Sequence, residues 1–355
     1  MATADHPVLV IGGAGFIGTN LAAHLADRGI PVRIYDDLSR PGVERNLSWL
    51  REQFGSLIDA QIADVRSRID LQGALDGVQA VFHLAAQTAV TTAISEPRHD
   101  FDVNARGTFE VLEAIRSMRE PPPLIFTSTN KVYGDLPDVV LEQQLTRWHP
   151  IDPSVAANGV DEGRPLDFHT PYACSKGCAD QYVLDYARVY RLPTAVFRTS
   201  CIYGPHQLGT EDQGWVAHFM IQGLRHRAIT IYGDGRQVRD LLFVDDLVDA
   251  FVRAWTQIDR VRGRAFNIGG GPSNTLSVNE LIELMGHLGV HGQSVQFAGW
   301  RAGDQRYYVS NTSAFTEATG WRPRVGPRPG IEALHGWLVD RRTHSPTVDE
   351  GATRG

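Results

Sequence analysis

Residues 8–18 read VLVIGGAGFIG, an aliphatic run that ends in closely spaced glycines. The run Val8–Ile11 has no polar alternation, as in a strand buried on both faces of a sheet, and the periodic apolar segment Ile17–Arg28 behind it predicts a helix. Gly12, Gly15 and Gly18 stand at this junction. Glycine there lets a pyrophosphate approach the backbone, where free N–H groups at the helix start meet its charge. A tight turn alone would also use glycine, so the surroundings decide. The next strand ends in Asp36-Asp37, about 20 residues on, where a carboxylate can bond an adenosine ribose. An acid there also repels a 2′-phosphate, which favours NAD over NADP, with Arg33 and Arg40 near enough to temper the preference. A solvated strand end is the other reading of Asp36.

The same alternation continues. Val32–Tyr35, Ala80–Leu84, Leu124–Thr127 and Thr194–Arg198 read as further strands, with helices over Val103–Met118 and Tyr172–Tyr190. This predicts an α/β fold, a doubly wound parallel sheet of Rossmann type. Beyond Gly204-Pro205 the pattern loosens into Gly- and Asp-rich loops, a helix near Trp215–Arg225 and short strands at Ile229–Tyr232 and Ala265–Ile268. A helix over 277–288 opens with Ser277 and Glu280 as a capping box. We assign 1–205 to a cofactor-binding domain, with parts of 235–275 returning to it, and 206–340 mainly to a smaller mixed α/β substrate lobe. The tail 341–355 has few apolar residues and is expected to be disordered.

A net charge of -7 without a basic run argues against nucleic acid as a partner. No apolar stretch approaches the roughly 20 residues a membrane helix needs, and no signal-peptide pattern opens the chain, so a cytoplasmic location is expected and no membrane partner. Cys174, Cys178 and Cys201 lack metal-ligand or disulfide spacing and read as small buried side chains; no metal site is predicted.

The segment HTPYACSKGCADQYVLDYARVY places Thr170 as N-cap and Pro171 at the first helical position. Tyr172 and Lys176 then fall at i and i+4, on one helix face. A phenol is a poor base at neutral pH, but an adjacent ammonium and a positively charged nicotinamide ring both favour the phenolate, which can take a hydroxyl proton. The spacing alone also fits a solvated face.

Together with GGAGFIG, Asp64-Val65, HLAAQ, NARGT, RTSCIYGP, VRDLLFVDDL and RAGDQRYYV, this segment resembles the extended short-chain dehydrogenase/reductase family, enzymes that modify nucleotide sugars, over nearly the whole chain. The resemblance implies bound NAD, contacted by Gly12, Gly15, Phe16, Ile17, Gly18, Asp36 and Asp37. It further implies Asp64 and Val65 at the adenine, and Leu84, Ala85, Ala86, Gln87 and Asn104 along the cofactor. Thr129, Tyr172 and Lys176 would be catalytic, the last two also touching the cofactor. Gln87, Thr129, Asn130, Lys131, Cys201, Gln213, Arg239, Arg301 and Asp304 would meet a nucleotide-diphosphate sugar, arginine suiting a diphosphate through its planar fork. A homodimer or higher homo-oligomer through helices 103–118 and 172–190 is implied as well. Three residues keep a second reading: Arg239 as a salt-bridge partner of Asp240, His83 as a core histidine, and Trp215 as a cap on the lobe.

In this family 4,6-dehydratases follow the catalytic Thr with Asp-Glu, because elimination needs an acid and a base, and decarboxylases keep a Glu there. Here Asn130-Lys131 stand in those places, which points to oxidation and re-reduction. STNKVYGD, DEGRPLDFHTPYACSKG and DQGWV are similar to a narrower group, the CDP-paratose 2-epimerases. That implies inversion at C2 of a CDP-hexose through a 2-keto sugar. The alternatives are a 4-epimerase, and a lyase of the same family that recruits Asp135 or Glu162.

Overall fold

The computed structural model describes residues 6–344. Strand β1 (Val8–Ile11) leads into helix α1 (Phe16–Ala26), followed by β2 (Val32–Asp36), α2 (Val43–Phe54), β3 (Ile58–Ile62), α3 (Arg68–Ala74) and β4 (Ala80–His83). Then come α4 (Gly107–Arg116), β5 (Leu124–Thr129), α5 (Thr170–Tyr190) and β6 (Thr194–Thr199). After α6 (Trp215–Leu224), β7 (Val238–Phe243) and α7 (Val244–Thr256), strand β8 (Arg264–Ile268) returns to the large sheet. The seven strands run in the order β8-β6-β5-β4-β1-β2-β3, every pairing parallel.

The pleat explains the two layers of helices. Val8 and Val10 pack in one cluster with Phe82, Phe197 and Phe251, whereas Leu9 and Ile11 pack in another with Tyr35, Phe126 and Val183. Successive side chains leave a strand on opposite faces, so a strand without polar residues must be covered twice. Each fully buried aliphatic side chain contributes about 1.5–3 kcal/mol.

A smaller mixed sheet lies beside this body: β7 pairs antiparallel with Thr275–Ser277 and parallel with Tyr307–Tyr308 and Cys201–Tyr203. A third cluster, with Tyr203, Met220, Leu241 and Leu281, fills the space beneath it. Helix α8 (Val278–His287) carries the capping box, with Ser277 and Glu280 each accepting from the other's backbone N–H.

Several expectations change. Sequence periodicity missed α2 and β3; β3 alternates partly exposed positions at the sheet edge, so its apolar signal is weak. The helix expected over 103–118 opens with one π turn, Asp102–Arg106. Cys174 is exposed rather than buried, because it sits on the outer face of α5. Helix α9 (Pro327–His344) runs past Arg341, where the tail was expected to begin, and residues 345–355 lie outside the described residues. Among the described residues no helix is long and apolar enough to cross a membrane, and no group of His, Cys, Asp and Glu is placed to share a metal ion.

Candidate active site

The turn after β1 approaches the end of β4 so closely that only glycine fits. Gly12 has φ 82°, and a Cβ there would stand 2.5 Å from the Ala85 nitrogen. One on Gly18 would stand 2.4 Å from the Gly12 carbonyl oxygen. No side chain caps the N-terminus of α1, which leaves its N–H groups for an outside anion. The Asp36 carboxylate accepts from the Ala14 and Leu38 N–H groups at 3.0 and 2.9 Å, and burial pushes its pKa up. A bare backbone cradle with a carboxylate at the next strand end fits a dinucleotide. Arg33 is turned to Asp59 and the Ala74 and Asp76 carbonyls, away from a 2′-phosphate, and Arg40 reaches the Leu208 carbonyl at 3.4 Å.

From this turn a cleft of about 480 Å³ runs across the strand ends. Phe16, Ile17, Leu84 and Ala86 line its cofactor end. Asp37 is exposed and accepts from Ser39. Asp64 forms an ion pair with Arg66, and Val65 is buried against Gly107. Gln87 and Asn104 are directed elsewhere than expected. The Gln87 amide closes on Ala89 and on Asp100, and the buried Asn104 joins the Gln87 backbone to Asp100 and to Ser175 of α5. Both are staples beneath the cleft rather than parts of its wall.

At the centre, β5 delivers Thr129 and α5 delivers Tyr172 and Lys176. Thr129 and Tyr172 both line the cleft, near enough for the Thr129 hydroxyl to lower the phenol's pKa, while burial, the larger effect, pushes it up to about 12. The Lys176 Nζ donates to the Thr127 carbonyl at 2.7 Å and lies 4.3 Å over the Phe126 ring. Burial draws its ammonium down to about 7, with Asp180 and Asp100 opposing. His83 is a core histidine, its Nε2 3.0 Å from the Thr108 hydroxyl and its pKa lowered to about 3 by burial.

The far side of the cleft carries cations. Lys131 donates to the Gly303 carbonyl at 2.7 Å, and burial with the nearby Arg239 lowers it to about 8. Arg239 is half-buried and donates to the carbonyls of Val238 and Gln305. Asn130 reaches the Gln305 side chain at 3.2 Å, and Asp304 lies within the field of both cations. Farther out, Arg301 lies 3.6 Å over the Tyr232 ring and pairs with Glu211 and Asp212. Gln213 and Trp215 line the same wall, the Trp215 Nε1 donating to the Cys201 sulfur at 2.9 Å; burial raises that thiol to about 12. Sequence reasoning did not single out Gln305, Glu211 or Gln237, although Gln305 stands inside the string RAGDQRYYV.

A family model described as "NAD dependent epimerase/dehydratase family" matches residues 8–269. A "CDP-paratose 2-epimerase" from Salmonella typhi is 39% identical over 337 residues, 93% of this chain and 98% of that protein. The crystal structure of a UDP-glucose 4-epimerase with UDP-glucose from Thermotoga maritima is similar with a TM-score of 0.79 and 27% identity, over 96% of this chain and 100% of that one. A Thermus thermophilus UDP-glucose 4-epimerase in complex with NAD gives a TM-score of 0.78 and 28% identity, over 94% and 99% of the two chains.

Proposed function

Since the chain belongs to the NAD-dependent epimerase/dehydratase family and works with NAD, we propose that it inverts C2 of a CDP-hexose through a transient 2-keto sugar. One observation carries this reading: the Thr129–Tyr172 pair stands in the cleft with Asn130 and Lys131 beside it, where elimination would need carboxylates. The two acids named above as candidates for a lyase are engaged elsewhere. Asp135 pairs with His169, Glu162 accepts from the Asn267 backbone N–H, and neither lines the cleft. The 39% identity to the CDP-paratose enzyme supports the nucleotide and the carbon.

In this reading bound NAD supplies the two-electron acceptor and, when oxidised, a positive ring charge that favours the Tyr172 phenolate. Tyr172 takes the C2 hydroxyl proton and later returns it, and Thr129 holds the reacting oxygen. Arg239 and Arg301 grip the diphosphate half, and Gln213 and Cys201 shape the wall. The cleft leaves the sugar room to rotate between faces while the nucleotide stays fixed. We keep 1–205 with the β8 edge as the cofactor domain and 206–340 as the nucleotide-sugar lobe. Exposed Phe101, Phe109, Tyr182 and Tyr190 along the α4 and α5 side support a homodimer on those helices.

Proton NMR of CDP-hexoses incubated with the enzyme tests the reaction. Inversion of the C2 signal at unchanged mass is expected; inversion at C4 would instead indicate a 4-epimerase, and loss of water or carbon dioxide a lyase.

A further inference from the structure

The first turn of α5 is joined to the loop after Thr129 by an imidazole held between two carboxylates. His169 Nδ1 lies 2.9 Å from an Asp135 oxygen and Nε2 lies 3.0 Å from an Asp167 oxygen. Asp135 follows the short helix Asn130–Tyr133, and His169 immediately precedes α5. The two segments touch through their backbones as well. The Asp167 N–H donates to the Val132 carbonyl at 2.9 Å, and a Cβ on Gly134 would stand 2.6 Å from the Asp167 carbonyl oxygen.

The turn so held is strained. Thr170 has φ 76°, a left-handed conformation that a β-branched residue rarely adopts and that costs on the order of 1–3 kcal/mol. Its methyl group lies beside Gly303, where an added Cβ would stand 2.7 Å from Thr170 Cγ2. Tyr172 follows two residues later. A shift of this turn would move the phenol relative to Thr129.

Carboxylates only accept hydrogen bonds at neutral pH, so both imidazole nitrogens must carry protons to satisfy both contacts. A neutral ring donates to one carboxylate and turns a lone pair toward the other. Asp135 and Asp167 are the charged groups that face the ring from the two loops around it, Arg164 being turned to Asp138. They raise the histidine's pKa. The tie is therefore complete at low pH and lost as pH rises through that raised value.

We infer that His169 is a positioning residue: bridged between Asp135 and Asp167, it fixes the first turn of α5 so that the Tyr172 phenol stays beside Thr129 in the cleft. The inference rests on the proposed role of that pair but not on the identity of the sugar. In His169→Gln, kcat is expected to fall about tenfold with KM and bound NAD unchanged, and the alkaline fall of the wild-type rate to disappear. His169→Arg, charged at every working pH, should restore most of the rate without the alkaline fall. Ultraviolet titration of the phenol, taken as the difference from Tyr172→Phe, needs no substrate. Because the neighbouring Thr129 hydroxyl lowers the phenol's pKa, that pKa should rise in His169→Gln if the two move apart. An unmoved phenol titration overturns the inference even if no sugar tried is a substrate. So does a rate loss accompanied by lost NAD and an unchanged pH profile, which would mark a purely structural residue. Absence of turnover on every CDP-hexose overturns the proposed reaction instead.

Discussion

Arg239 and Asp240 are neighbours on β7 whose side chains leave the strand on opposite faces and do not pair. Arg239 enters the cleft with carbonyl oxygens as its hydrogen-bond partners, while Asp240 accepts from the Ser200 hydroxyl and the Gly271 N–H. A half-buried guanidinium hydrogen-bonded only to carbonyls, with Asp304 acting on it only through its charge, is ready to bind an incoming anion. Arg239→Met should therefore weaken CDP binding about ten- to hundredfold, the range of a charged hydrogen bond, without lowering the melting temperature of the free protein. Calorimetric titration and a thermal melt check the two halves.

Tyr172→Phe removes the phenol that stands beside Thr129 in the cleft, the group placed to move a proton. Turnover should fall by a factor of roughly 10²–10⁴, the usual contribution of a general base, while the NAD content of the purified protein is unchanged. Full activity in this variant would refute the assignment of the base.

Burial of Lys176 disfavours its charged form. Its ammonium is fully buried and its pKa is lowered to about 7 from the ordinary 10.5, so between these values the unfolded chain binds a proton that the folded chain does not. Stability from this group accordingly rises with pH across that window. Lys176→Met should melt above the cofactor-free wild type near pH 7, with the gap narrowing toward pH 10, and should be inactive. A melting temperature below the wild type's would contradict this.

Lys131 and Asn130 hold the segment 303–305 against the cleft, through the Gly303 carbonyl and the Gln305 side chain, and Gln305 Nε2 in turn donates to the Gly134 carbonyl. Lys131→Met should release this segment, raising KM about tenfold with a smaller effect on kcat. Comparing the two constants separates this clamp from a direct role in proton transfer, which would lower kcat at unchanged KM.

The cofactor half was legible because its signals are local: glycines, strand and acid lie within Val8–Asp36, and each constrains the backbone by itself. The clamp was not, since Lys131 and Gly303 are brought together only by the lobe's sheet. Side-chain direction was likewise hidden. Asn104 and Gln87 carry the polar groups a ligand could use, yet they satisfy one another and Asp100, a choice decided by the π turn at 102–106 and the packing of α5. Tyr172 and Lys176 were found by their spacing, but spacing could not say that Lys176 would turn toward Thr127.

Gly12 and Gly29 separate backbone strain from close approach. Both have positive φ, 82° and 72°, so alanine at either carries a conformational cost of about 1–3 kcal/mol. Around Gly29 nothing lies within 4 Å of where alanine would put its methyl group, whereas at Gly12 the methyl would press on the nitrogen and Cα of Ala85 at 2.5 and 2.8 Å. That backbone cannot retreat easily, because the Ala85 N–H donates to the Ile11 carbonyl at 2.9 Å. Gly29→Ala should lose some stability and keep its NAD. Gly12→Ala should push β4 and the turn apart and lose the cofactor as well, read from the nucleotide released on denaturing the purified protein. Equal NAD content in the two variants would mean that the approach of the turn to β4 is not what shapes the cofactor site.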